Sequence, residues 1–123
     1  MPRREGHHTV APYLTHADFE GLIAFARAAF GATEQFRARG SAGGTHIEVL
    51  IGDSIVMIGG AAGGAPRSAM LHLYVDDVDA TYARALAAGG TSIAEPQSHD
   101  DGDRRAGVAD RFGNEWYIAT TLA

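Results

Sequence analysis

Apolar residues recur along this chain at two spacings, and the two spacings alternate in the same order twice. Thr9 to Leu14 reads as a strand. Asp18 then stands as a cap before Phe19, Leu22, Ala26 and Phe30, apolar positions three and four apart that predict a helix ending at Gly31. An extended piece near Gln35 to Arg39 follows, then an alternating strand at Thr45 to Ile51, a Gly52-Asp53 hairpin turn and a strand from Ser54 to Ile58. The order is β-α-β-β-β. Gly59-Gly-Ala-Ala-Gly-Gly-Ala-Pro66 has no side chains able to pack a core and reads as a flexible linker.

Beyond the linker the pattern restarts. Met70 to Val75 is strand-like, Asp77 caps a helix with Val78, Tyr82, Ala85 and Leu86 on its apolar side, and Gly89-Gly90 stops it. Strands are expected at Thr91 to Ala94, Ala106 to Asp110 and Glu115 to Thr121, the last two joined around Gly113-Asn114. Asp18-Phe-Glu and Asp77-Val-Asp hold matching places, each before an Ala-rich helix with an arginine in its second turn, at Arg27 and Arg84. These halves predict an α+β fold built by duplication: two tandem βαβββ modules forming a curled mixed sheet around a central cleft. Module one covers about 9–58, the linker 59–66 and module two about 70–121 of a single domain spanning 1–123.

Composition narrows the functions this fold could carry. With 123 residues there is room for one core and not for two independent ones. No apolar run approaches the roughly 20 residues of a spanning helix, so no membrane partner is expected. The basic start Met1-Pro-Arg-Arg-Glu-Gly-His-His8 lacks an apolar stretch behind it and is not read as a secretory signal, so a cytoplasmic location is expected. His7 and His8 fall in that segment and are assigned no role. A net charge of -5 argues against nucleic acid as a partner. The absence of cysteine removes disulfides, thiolate nucleophiles and Cys-based zinc sites. Nor does any stretch match a Ser-His-Asp triad, a phosphate-binding glycine loop or a dinucleotide fingerprint.

Pro12-Tyr-Leu, Ala29-Phe-Gly-Ala32, His46-Ile-Glu, Ile51-Gly-Asp-Ser-Ile-Val-Met57, Val75-Asp-Asp-Val-Asp-Ala80, Gly102-Asp-Arg-Arg105 and Asp110-Arg-Phe-Gly-Asn-Glu-Trp116 together resemble the vicinal oxygen chelate superfamily. This is the glyoxalase I, bleomycin-resistance and extradiol-dioxygenase group, and the likeness is strongest to its PhnB-like, glyoxalase-like branch. It runs from about Val10 to the end of the chain. In the enzymes of that group a divalent metal sits in the cleft, held by His or Glu from matching strands. Aligning the two helix-capping aspartates puts those positions near Ala11, at Met70 and at Tyr117, none of which is an imidazole or a carboxylate. The family's Asp-Pro-x-Gly turn is here Asp110-Arg-Phe-Gly113.

The resemblance therefore implies a metal-free binding protein of the bleomycin-resistance kind, with no cofactor, that sequesters a small aromatic or amphipathic compound between its modules. Strand alternation supplies the lining: Met70, His72 and Tyr74 share one face with Glu115 and Tyr117, and His46 and Glu48 share a face on the middle strand of module one. Tyr13, Met57 and Arg104 complete the candidate ligand-binding set, the arginine as a clamp for an anionic group, a role Arg105 could equally fill. Tyr117 either donates a hydrogen bond to a ligand or fills a collapsed cleft. A metal-dependent lyase or isomerase using His46, Glu48, His72 and Glu115 is the alternative, set against a plain His46–Glu48 hydrogen-bonded pair on a half-exposed strand. His99-Asp-Asp-Gly-Asp103 reads as an exposed acidic loop, because it lacks the distal glutamate of a calcium loop. The partners expected are a small-molecule ligand and, by the resemblance, a second copy in a homodimer.

Overall fold

The structure, a computed structural model, describes residues 3–39, 44–60 and 67–122. Strand β1 (Tyr13–Thr15), helix α1 (Phe19–Phe30) and strands β2 (Thr33–Arg39), β3 (Thr45–Ile51) and β4 (Ser54–Gly60) make the first module. Strand β5 (Ala69–Tyr74), helix α2 (Val78–Ala87) and strands β6 (Thr91–Ser98), β7 (Asp103–Ala109) and β8 (Asn114–Thr121) make the second. The sheets have orders β1-β4-β3-β2 and β5-β8-β7-β6, each with one parallel pair and two antiparallel ones. The α+β class and the tandem βαβββ plan are thus present as two four-stranded sheets of identical topology.

Matching local chemistry starts both helices. The Asp18 carboxylate accepts from the Gly21 N–H at 3.0 Å, and the Asp77 carboxylate accepts from the Ala80 N–H at 3.1 Å. Each satisfies an amide that has no partner inside its own helix. Gly31 closes α1 in the left-handed region, at φ 72.

One apolar core joins the modules. Leu22, Phe25, Ala26 and Ala29 of α1 pack with Ile47 and Val49 of β3, Ile58 of β4, Ala85 of α2, Val108 of β7 and Trp116 of β8, all buried. Phe30 lies 4.7 Å from the Trp116 ring, centroid to centroid. Asp110, only 7% exposed, ties the last turn to this core. It accepts from the Phe112 and Asn114 amides, from Asn114 Nδ2 and from Trp116 Nε1, at 2.8–3.0 Å. Proline is therefore dispensable in the turn. Arg111, in its place, reaches back 3.0 Å to Asp18 at the start of α1 and binds module two to module one.

Several boundaries differ from the sequence reading. β1 begins at Tyr13 and not at Thr9, because Pro12 has no N–H to offer a ladder while its carbonyl accepts from the Met57 N–H at 2.9 Å. β6 and β7 run beyond their expected ends, carried by pairing of Gln97 with Arg105 and of Asp103 with Thr121. Gly59 and Gly60 were expected to open the linker and instead finish β4; the rest of that linker, residues 61–66, lies outside the described residues.

Candidate functional site

Each sheet turns one face to the helices and the other away from them. On the outer face of module one, Tyr13, Met57, Glu48 and His46 come together across three strands, because the ladder sets Tyr13 opposite Met57 and Met57 opposite Glu48. Gly59 makes the approach possible: a Cβ there would lie 2.6 Å from the Tyr13 hydroxyl, so only a glycine lets the ring cross β4. The Tyr13 hydroxyl meets His46 Nδ1 at 3.1 Å, and His46 Nε2 meets Glu48 Oε2 at 2.9 Å. The assignment that satisfies both contacts has Tyr13 donating to Nδ1 and Nε2–H donating to the carboxylate.

The sequence reading expected this pair on a half-exposed strand, yet Glu48 is 2% exposed. Its cover comes from the N-terminal segment. Arg4 donates to Oε2 at 2.9 Å, and the His7 ring meets Oε1 at 2.8 Å through Nε2. The Arg4 guanidinium also lies 4.6 Å from the centre of the Phe36 ring on β2. Burial alone would raise the Glu48 pKa; hydrogen bonds from His46 and His7 and the charge of Arg4 outweigh it and hold the carboxyl below its ordinary value. His7, assigned no role from the sequence, is therefore part of the site. Arg4 and His7 were missed because a segment that docks by polar tips leaves no hydrophobic period to read, and Phe36 on β2 because its part in the site depends on Arg4 arriving over its ring. The one available signal was Glu48 itself: a carboxylate between Ile47 and Val49 needs more partners than one histidine.

Module two presents a different outer face. Met70, His72 and Tyr74 of β5 lie in register with Glu115, Tyr117 and Ala119 of β8, as strand alternation predicts. The Tyr117 hydroxyl donates to Glu115 in a short hydrogen bond, which together with burial and the Glu115 charge raises the phenol's pKa above its usual 10. Its ring lies across Gly107, where a Cβ would stand 3.1 Å from it. His72 packs edge-on to Tyr74 with centroids 4.9 Å apart. Met70 and Tyr74 are 70% and 71% exposed, so among the described residues nothing covers this apolar row.

Within the single chain, two groups of candidate residues are placed apart from this face or from each other. Arg104 leaves this face for the helix side, where Asp79 of α2 grips it with two bonds of 2.7 and 2.9 Å. Arg105 takes the outer side, opposite Ala119, and pairs with Asp101 at 2.7 Å. The four residues of the alternative metal site divide between the sheets: His46 and Glu48 engage Tyr13, Arg4 and His7 in module one, while Glu115 engages Tyr117 in module two. Among the described residues no three His, Asp or Glu side chains are placed to hold a metal ion. Nor do Ala11, Met70 and Tyr117 offer a donor set that suits a divalent cation, since a methyl, a thioether and a phenol held protonated by its carboxylate neighbour make a poor one.

A groove of about 950 Å³ runs along the β5 edge, between the β3–β4 hairpin and α2. Of the expected site residues only His72 and Tyr74 line it, beside Pro12, Ile55, Thr81 and Arg84.

Comparison with known proteins agrees with this architecture. The chain is 32% identical over 122 residues to an uncharacterized protein of Mycobacterium tuberculosis H37Rv, covering 89% of this chain and 72% of that one. The fold matches TioX from Micromonospora sp. ML1 with a TM-score of 0.76 at 23% identity, over 94% of this chain and 99% of that one. It also matches the fosfomycin resistance protein FosX from Listeria monocytogenes, with a TM-score of 0.72 at 16% identity over 93% of each chain. Residues 6–118 match the family model described as Glyoxalase/Bleomycin resistance protein/Dioxygenase superfamily, and with this the chain belongs to that superfamily.

Proposed function

We propose that the protein is a small-molecule binder of the bleomycin-resistance type, nearest the PhnB-like branch, working without a metal and sequestering an aromatic or amphipathic compound against its outer sheet faces. The observation that carries this is the exposed Met70 and Tyr74 row beside a paired Tyr117 and Glu115, with Met70 and Tyr117 at the positions where the resemblance puts ligating side chains in metal-dependent members. Methionine and tyrosine give adaptable apolar contact, and the phenol–carboxylate pair fixes orientation.

A second copy of the chain completes the pocket in this reading. Strands β1 and β5 are sheet edges, and Tyr13 at 51% and Phe36 at 40% exposure leave apolar surface on module one as well. Facing the module-one side of one copy with the module-two side of another buries both patches and encloses the ligand. Light scattering on the purified chain tests the pairing, with a mass of two chains expected.

A thermal-shift screen of aromatic compounds, combined with elemental analysis of protein purified without chelator, tests the function. A ligand at about 100 times its Kd stabilises by about 2.7 kcal/mol, well within detection. Near-stoichiometric transition metal that disappears in His46→Ala or His72→Ala would overturn the reading and support the lyase or isomerase.

A further inference from the structure

The geometry points to a subsite for a guanidinium or amidinium group on the outer face of module one, formed by Glu48, Phe36 and Tyr13 and filled in the free protein by the chain's own Arg4. The inference rests on reading the outer faces as ligand surfaces and adds the chemical class of the group bound there.

A buried carboxylate without a cation is one of the most costly arrangements in a folded protein, so whatever leaves this site must be replaced by positive charge. Arg4 meets that need from a segment that belongs to neither sheet. Residues 3–12 contain no helix or strand, and the Arg4 side chain remains 56% exposed although its tip reaches a carboxylate that is 2% exposed. His7 holds the segment at a second point. Its Nδ1 faces the Glu5 carbonyl at 3.1 Å and its Nε2 faces Glu48 at 2.8 Å. Both partners are acceptors, so each contact is one that a ring N–H can make. Arg4 is thus a tethered cation on Oε2, and His7 is a second tether on Oε1.

Lifting this segment uncovers both oxygens at once. His46 stays on Oε2 through Nε2, held by Tyr13, so the carboxylate keeps its orientation. The freed edge has the shape that takes two parallel N–H bonds from a planar fork, a demand an alkylammonium meets less well. Phe36 supplies the flat surface over which Arg4 now lies, and Tyr13, lying over Gly59, supplies another. A fork carried on a flat apolar body would satisfy the carboxylate and cover the rings together. Entry is a competition with a tethered group whose effective concentration is in the millimolar range, so affinity in the intact chain is lowered by the fraction of time the segment is shut.

The test uses benzamidine as the cationic probe and benzamide as its neutral counterpart, titrated by NMR into the full chain and into Arg4→Ala. In the intact chain benzamidine is expected to shift the Arg4 Nε–H and His7 ring signals as they leave Glu48. Arg4→Ala should bind benzamidine about tenfold or more tightly than the intact chain, as follows if the segment is shut more than about nine-tenths of the time. Adding Glu48→Gln to Arg4→Ala should abolish that binding, and benzamide should bind neither form. An Arg4→Ala affinity equal to that of the intact chain, or benzamidine binding that survives Glu48→Gln, overturns the subsite. Equal binding of benzamide also overturns it while leaving the broader aromatic-binding function standing, whereas failure of the whole aromatic screen removes that function instead. The Arg4 and His7 signals of the intact chain decide the matter even where a variant folds poorly: benzamidine that binds without moving them counts against displacement.

Discussion

The two outer faces descend from one βαβββ plan and have become chemical opposites. Module one buries a carboxylate and neutralises it with three cationic or hydrogen-bonding side chains, two of them brought from outside the module. Module two keeps its carboxylate, Glu115, half-buried and answers it with a single phenol from its own strand. Both faces lay a tyrosine across a glycine, Tyr13 over Gly59 and Tyr117 over Gly107, yet the strands involved are not equivalent ones. What the duplication preserves is the frame, in the helix caps and the ladder order. Charge burial on the outer face is free to diverge, because no core residue depends on it.

The sharpest way to break the comparison is to remove each carboxylate. Glu48→Ala takes the acceptor from Arg4, His7 and His46 together and is expected to lower stability by about 2 kcal/mol, since hydrogen bonds to charged groups carry about 1.5–3 kcal/mol each before the relief of burying a charge is credited. Glu115→Ala leaves a half-buried phenol that water can reach and should cost less than about 1 kcal/mol. Urea denaturation of the two variants checks both values, and equal losses would contradict the asymmetry.

Acid probes the same difference without a cavity. Because the folded pKa of Glu48 is depressed, its stabilisation is complete above the ordinary value of 4.5 and fades as pH falls through the lower folded value. The intact chain should therefore lose more stability than Glu48→Gln over that window. Asp18, Glu34, Asp79 and Asp101 are shifted in the same direction, so a residual acid dependence remains in the variant.

Smaller effects separate the two tyrosine–glycine crossings. Gly59→Ala puts a Cβ 2.6 Å from the Tyr13 hydroxyl, the free end of a side chain, and should swing the ring away and break its bond to His46 for about 1 kcal/mol. Gly107→Ala meets the Tyr117 ring at 3.1 Å and the Ile93 Cβ at 3.3 Å, and needs only small adjustments. Tyrosine ring shifts in NMR spectra report both, with the larger change expected at Tyr13. Smallest of all, Tyr117→Phe should leave stability nearly unchanged and delete from an alkaline ultraviolet titration a phenol that ionises above 10.

Much of this architecture was legible from residue types alone. Asp18 and Asp77 announce the helices, the apolar periods give the order of elements, and alternation along Met70 to Tyr74 and Glu115 to Tyr117 assigns that face correctly, because these are rules of local geometry. Arg104 escaped them. Its neighbour Arg105 has the same chemistry, and only the register of β7 against β8, with Asp79 waiting on α2, decides which arginine faces the helix. Arg4 and His7 escaped for a different reason: their contacts with Glu48 span 44 and 41 residues and involve no periodic pattern.

The sequence by itself determined the α+β class, the duplication, the caps and the alternation of each strand, all consequences of backbone geometry acting over a few residues. Tertiary structure alone decided that Glu48 is buried, that the N-terminal segment supplies its charge, and that Met70 and Tyr74 stay uncovered. Burial and ion pairing depend on what else arrives at the same point in space, and residues distant in the chain meet there only once the whole fold has formed.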